Sequence, residues 1–177
     1  MFDINEHGKT VKYRLPATVI LSFGVRGKAG MFEHRIEFVR ELDGVKWYND
    51  SIATSPASVT AGLRAFNKKI IMIAGGSDKG LDYAELAIEI VKYVKVLILL
   101  GQTANKIEAA VTSSKDYTDS GIEIIRVKSM EEAVTKAKMS AMSGDVVSLS
   151  PASASFDMYK DFEERGKHYK SIVTELN

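Results

Sequence analysis

The sequence contains no cysteine. This excludes disulfides, thiolate catalysis and cysteine-ligated metals. Histidine is nearly as scarce: His7, His34 and His168 stand too far apart in sequence to outline a metal site. Charge of either sign is not in excess. The 24 basic and 23 acidic residues leave +1, so bulk attraction to nucleic acid or to an anionic membrane is excluded. Apolar runs stay far below the roughly 20 residues of a membrane-spanning helix, and no secretory leader opens the chain. The expectation is a soluble, cytoplasmic protein that engages neither nucleic acid nor membrane. Internal repeats and low-complexity tracts are also lacking.

What is present is a regular alternation. Arg35–Arg40 (RIEFVR) alternates polar and apolar residues as a half-buried strand does, and Asp43-Gly44 is a hairpin dipeptide leading into Val45–Tyr48. Helical spacing follows over 56–66, with Val59, Leu63 and Phe66 on one face. Lys69–Ala74 (KIIMIA) and Val96–Leu100 are continuous apolar runs typical of strands buried on both sides. Between them Tyr83–Tyr93 is amphipathic through Leu86, Ile90 and Val94. Thr103–Val111 predicts a helix, Ile122–Val127 a strand, and Met130–Met139 a helix capped by Ser129 with Glu131 and Glu132 in its first turn. Val146–Leu149 predicts a strand, and Asp157–Leu176 a long final helix. The fold class expected is α/β: a Rossmann-like, doubly wound, mostly parallel sheet with an antiparallel strand pair at its start. Residues 33–177 make one domain. Residues 1–32 carry one strand-like run, 18–23 (TVILSF), and are read as a short extension too small to bury a core.

In a doubly wound sheet, ligands sit beyond the carboxyl ends of the strands, and three turns fall there. Asn49–Pro56 (NDSIATSP) offers an acid and three hydroxyls. Gly75–Gly80 (GGSDKG) could cradle an anion through its N–H groups beside Lys79, or be a plain strand-to-helix turn with a solvated lysine. Ser150–Phe156 (SPASASF) could hold a carboxylate at the start of the last helix, or serve capping and close packing. Asp50 could accept from ribose hydroxyls, or shape its own turn. Two decoys fall away. Gly8-Lys9-Thr10 lacks the earlier glycine and preceding strand of a P-loop. No serine lies in a G-x-S-x-G elbow, and His168 is expected at the surface.

Taken in order, HRIEFV (34–39), NDSIATSP (49–56), GGSDKGLD (75–82) and LSPASASFDMYKDFEERGKHY (149–169) resemble the C-terminal domain of the Mur ligases, in the branch that adds D-glutamate. The likeness covers about 33–177, and its most specific part is the last segment. It implies an ATP-dependent, magnesium-requiring ligase of peptidoglycan synthesis. There ATP phosphorylates the carboxylate of UDP-N-acetylmuramoyl-L-alanine and the amine of D-glutamate attacks the acyl phosphate. It further implies that Thr54, Lys79, Ser155, the backbone of Phe156 and the ring of Phe162 hold D-glutamate. Asp50 would meet the ribose, and Arg35 the ribose and phosphates.

Two departures qualify the resemblance. Ile52 stands where some family members carry lysine. The central domain, with its P-loop and magnesium ligands, and the N-terminal UDP-sugar domain have no counterpart here, although 14–33 resembles a remnant of a central-domain end. The chain alone is therefore not expected to turn over, and bared interdomain surface is expected to drive self-association. A stand-alone, non-catalytic amino acid- or nucleotide-binding module is the alternative. A ligase of the related folate polyglutamate class is a third reading.

Overall fold

The computed structural model describes residues 2–6 and 9–13 as strands and residues 33–177 throughout. The chain divides into two units, Met1–Gly30 and Met31–Asn177. In the first, β1 (Phe2–Glu6) and β2 (Lys9–Tyr13) pair as an antiparallel hairpin that the sequence reading had not placed. The strand expected over 18–23 lies outside the described residues.

The second unit is a six-stranded sheet in the order β3-β4-β8-β5-β6-β7. Its strands are β3 (Glu37–Leu42), β4 (Val45–Asn49), β5 (Ile70–Ala74), β6 (Val94–Leu99), β7 (Glu123–Arg126) and β8 (Val146–Leu149). Only β3 runs antiparallel, turned into β4 by Asp43 and Gly44, both at positive φ as a two-residue hairpin requires. The remaining pairs are parallel. The expected fold class is the observed one.

Helices cover both faces, and the strand sequences show why. In β5, Ile70, Met72 and Ala74 enter one core while Ile71 and Ile73 enter the other; in β6, Leu97 and Leu99 oppose Val96 and Ile98. Such strands alternate faces but stay apolar throughout. The first core is closed by α1 (Pro56–Phe66), α2 (Ala84–Tyr93) and α3 (Ala104–Thr112), through Leu63, Ile90 and Ile107. The second is closed by α5 (Met130–Ser140) and α6 (Phe162–Glu175), through Val134, Tyr169 and Val173. A single-turn helix, α4 (Tyr117–Ser120), precedes β7.

Because β8 lies between β4 and β5, the chain crosses it on one face through α1 and returns to it on the other through α5. The carboxyl ends of β4, β8 and β5 thus form the switch point where doubly wound sheets open a crevice.

Several boundaries differ from expectation. The strand read over 35–40 starts at Glu37, because Ile36 takes φ 43° and breaks the extended backbone. The last helix starts at Phe162, five residues late. There Asp161 caps it by accepting from the Glu164 N–H at 2.8 Å, and the preceding residues turn back on Ser155. The cap expected at Ser129 is present, its hydroxyl accepting from Glu132 N–H at 3.2 Å, and Ser55 caps α1 by accepting from Ser58 N–H at 3.4 Å.

Beyond β5, Gly75 has φ 113°, and a Cβ there would overlap the Leu100 carbonyl oxygen, which belongs to backbone and cannot yield. Gly75→Ala is expected to lower unfolding stability by on the order of 3 kcal/mol, read by urea denaturation. A loss below about 0.5 kcal/mol would show that the turn relaxes freely.

Candidate functional site

Four turns meet at the carboxyl edge: 50–55 after β4, 75–83 after β5, 100–103 after β6 and 150–161 after β8. Of these, Leu100–Thr103 was not singled out from sequence. The centre of the edge is Arg165, the fourth residue of α6, only 2% exposed. Its Nε donates to Ser51 Oγ at 3.0 Å and its Nη2 to the Ser51 carbonyl at 2.9 Å. Its Nη1 donates to the Ser153 and Ala154 carbonyls, both at 3.1 Å. Ser51 Oγ in turn donates to the Phe162 carbonyl at 2.7 Å. One guanidinium thereby ties the turns after β4 and β8 to the first turn of α6. Burial pulls its pKa down to about 10, with Asp157 and Tyr159 acting the other way, so it stays charged at neutral pH.

The turn after β5 is fastened to the same cluster. Ser77 N–H donates to the Ala154 carbonyl at 2.8 Å, and Gly75 N–H to the Pro151 carbonyl at 2.9 Å. Gly76 N–H donates to Thr103 Oγ1 at 3.1 Å. That hydroxyl lies 2.8 Å from Ser153 Oγ, itself 2.9 Å from the Tyr83 hydroxyl. The hydroxyl residues of this edge, read from sequence as open to ligand, are thus partly consumed in joining turns.

Upstream, a second polar cluster holds the entry to the domain. Asn49 Nδ2 donates to His34 Nδ1 at 2.8 Å and to Glu37 Oε2 at 3.0 Å, while its Oδ1 accepts from Ser51 N–H at 3.1 Å. The His34 ring proton therefore sits on Nε2. Burial pulls the ring's pKa down. Glu37 Oε1 pairs with Lys170 on α6 at 2.9 Å. The ring abuts Gly166, where a Cβ would overlap Nδ1.

The expected site residues fall into two groups. Asp50 is 1% exposed; its Oδ1 accepts from Ile36 N–H at 3.2 Å and lies 3.5 Å from Arg35 Nη1. Its Oδ2 is buried and has no hydrogen-bond partner among the described residues; a Cβ on Gly62 of α1 would sit 3.2 Å away. Burial pushes the carboxyl up to about 7 against the pull of Arg35 and the Ile36 N–H. In the other group, Lys79 is exposed and its Nζ lies 5.1 Å from the centroid of the Phe156 ring. Ser155 is buried, and its carbonyl accepts from Met158 and Tyr159 N–H. Phe162 meets His34 edge-on at 6.0 Å between ring centres. Thr54 is half-buried, its N–H bonded to the Ile52 carbonyl at 2.8 Å within its own turn.

Arg165 and His34 were not singled out from sequence, and Asn49 was read only as the start of its turn. The signal was there for Arg165: a charged residue on the stripe Phe162, Arg165, Tyr169, Val173 cannot reach water and must find partners. His168, expected at the surface, is half-exposed and bonded on both sides, to Tyr159 at 2.9 Å and Glu131 at 3.0 Å.

Against known families, residues 34–153 match the glutamate ligase domain of the Mur ligases. The chain belongs to the Mur ligase family. It is 51% identical over 144 residues to the UDP-N-acetylmuramoylalanine–D-glutamate ligase of Clostridium botulinum (strain Kyoto / Type A2), covering 81% of this chain and 31% of that one. It is 53% identical over 146 residues to the ligase of the same name from Acetivibrio thermocellus, with the same coverages. The chain thus spans about a third of these relatives' length. Among solved structures, the bifunctional folylpolyglutamate synthase/dihydrofolate synthase of Yersinia pestis CO92 superimposes with TM-score 0.58 at 15% identity, over 82% of this chain and 32% of that one. UDP-N-acetylmuramate-alanine ligase of Thermotoga maritima gives 0.53 at 12%, over 80% and 30%. At these identities the structures show the Mur ligase C-terminal fold alone.

Two measurements probe this Mur ligase domain's edge. Arg165→Met removes the donor while leaving three carbonyls and a hydroxyl in a buried place, and is expected to cost on the order of 3 kcal/mol in unfolding stability. Arg165→Lys should recover only part of it, since a single ammonium cannot span that set. The Asp50 carboxyl ordinarily titrates at 3.8 and in the folded chain at about 7. Between those values the folded form keeps a proton the unfolded form has lost, so stability falls as pH rises through the window. Asp50→Asn removes that loss: its stability relative to wild type should rise by on the order of 3–4 kcal/mol from pH 4 to pH 8 in urea denaturation. A constant difference across that range would place the Asp50 carboxyl at its ordinary pKa.

Proposed function

We propose that residues 33–177 are the acceptor-binding domain of an ATP-dependent ligase that joins D-glutamate to UDP-N-acetylmuramoyl-L-alanine, with residues 1–32 as a short extension. The observation that carries this is the 51–53% identity, over 144 to 146 residues, to proteins named for that reaction. The chemistry of the edge is consistent with it. An exposed ammonium at Lys79 suits a substrate carboxylate, a charge-assisted contact of roughly 1.5–3 kcal/mol. Thr54, Ser155, the Phe156 backbone and the Phe162 ring complete the acceptor side. Asp50 and Arg35 take the nucleotide side, with the unpartnered Asp50 Oδ2 suited to a ribose hydroxyl.

Retaining a buried carboxyl that weakens the fold at neutral pH argues for such a use. Ile52 supplies no cation to the acceptor, so Lys79 carries that role in this chain. Where ATP and UDP-sugars meet, the compartment is the cytoplasm; among the described residues no helix is long and apolar enough to cross a membrane.

The chain by itself holds half of such a site. No P-loop occurs in its sequence, and among the described residues no cluster of three acidic or histidine side chains could hold a metal ion. On this reading the isolated chain does not turn over by itself, whether it works as part of a ligase or as a separate amino acid- or nucleotide-binding module. Self-association would draw on exposed apolar side chains such as Met139 and Met142.

The test is an NMR amide titration with D-glutamate, L-glutamate and ATP. D-glutamate is expected to shift Thr54, Lys79 and the Ser155–Phe162 segment, with L-glutamate weaker. Lys79→Ala should weaken binding about tenfold or more at unchanged thermal midpoint. Ser155→Ala should also weaken it with folding intact. Parallel losses of binding and stability in both variants would make these turns structural.

A further inference from the structure

We propose that the Phe156 ring is a positioning residue for Lys79, holding its ammonium over the sheet edge as one half of a clamp for a carboxylate. The inference rests on reading Lys79 as the acceptor's charge partner. Phe156 is 63% exposed, a full aromatic ring left in water beside a buried Ser155. Its one described ring contact is Lys79 Nζ at 5.1 Å from the centroid, within the range where the ring face attracts a cation.

The surroundings leave Lys79 to that contact. Its neighbour Asp78, the nearest acid in sequence, is already engaged: its Oδ2 pairs with Lys106 at 2.5 Å and its Oδ1 accepts from Gly80 N–H at 2.9 Å. Among the described residues Lys79 forms no ion pair. Both backbones are fixed as well. Ser77 N–H is bonded to the Ala154 carbonyl and Asp78 N–H to Gln102 Oε1 at 3.2 Å. Past Phe156, the turn closes through Met158 and Tyr159 N–H on the Ser155 carbonyl.

Two rigid turns therefore present one flexible cation and one ring. An ammonium resting on a ring face keeps its remaining hydrogens toward solvent, where a carboxylate can accept them. The ring removes part of the rotamer freedom that a four-carbon stem would otherwise lose on binding. An aliphatic side chain would cover the same backbone without holding the charge.

The test compares wild type with Phe156→Leu and Phe156→Tyr in the full chain. Ring current should move the Lys79 ε-methylene protons upfield in wild type and in the tyrosine variant, and not in the leucine variant. D-glutamate, titrated by NMR, should bind the leucine variant about two- to fivefold more weakly, with tyrosine restoring wild-type affinity. Lys79 methylene shifts at the value of an unstructured lysine in wild type overturn the proposal, and so does equal affinity of the leucine variant. A wild type that shows the upfield shift but ignores D-glutamate overturns the acceptor reading, and the clamp loses its anion with it.

Discussion

The candidate site depends on a cation buried against neutral partners. Arg165 has given up water for one hydroxyl and three carbonyls, contributed by the turns after β4 and β8. Desolvating a charge is costly, and its depressed pKa records that cost. The offset comes from geometry: a planar guanidinium can meet several buried carbonyls at once. Because the same helix turn also receives the Ser51 hydroxyl, the end of β4, the end of β8 and the start of α6 are held as one piece. The turn after β5 joins through Ser77 and Gly76, where a side chain would overlap the Ala154 carbonyl.

On that fixed base the polar residues divide by reach. Short hydroxyls, Ser51, Thr103 and Ser153, lie inward and are spent on one another and on backbone. Side chains with reach or exposure, Lys79 and Phe156, stand outside the clasp. Asp50 is an intermediate case. It is buried and half-satisfied, supports the strained Ile36 through one oxygen and leaves the other without a hydrogen-bond partner among the described residues. A fold optimised for stability alone would not keep it, since an amide or apolar residue of similar size would avoid the charge. The same sheet superimposes on alanine and folylpolyglutamate ligases at 12–15% identity. A sheet shared at that distance is scaffold, and by itself it specifies no chemistry.

Much of the architecture was legible in the residues. Continuous apolar runs at 69–74 and 96–100 fixed two central strands, since only strands covered on both faces bury every side chain. Asp43-Gly44 named its hairpin because few other pairs tolerate two left-handed residues in succession. Pro56 behind Ser55 marked a helix start, and the three turns that looked rich in small polar residues do lie on one edge. The pairs Lys79–Phe156 and Arg35–Asp50 do meet in space. The errors were at boundaries decided by distant contacts. Ile36 is turned out of the extended region beside a hydrogen bond to Asp50, fourteen residues away, and the last helix waits for the Asp161 cap after a turn folded onto Ser155.

By itself, then, the sequence determined the alternation of strand and helix, the two-sided sheet and the family, because these depend on local periodicity and on short motifs read in order. Tertiary structure alone decided the strand order that places β8 between β4 and β5, the burial of Arg165 and Asp50, and which hydroxyls remain available. Those are properties of groups 11 to 114 residues apart in the chain, and no local pattern carries the distance at which a guanidinium meets a carbonyl.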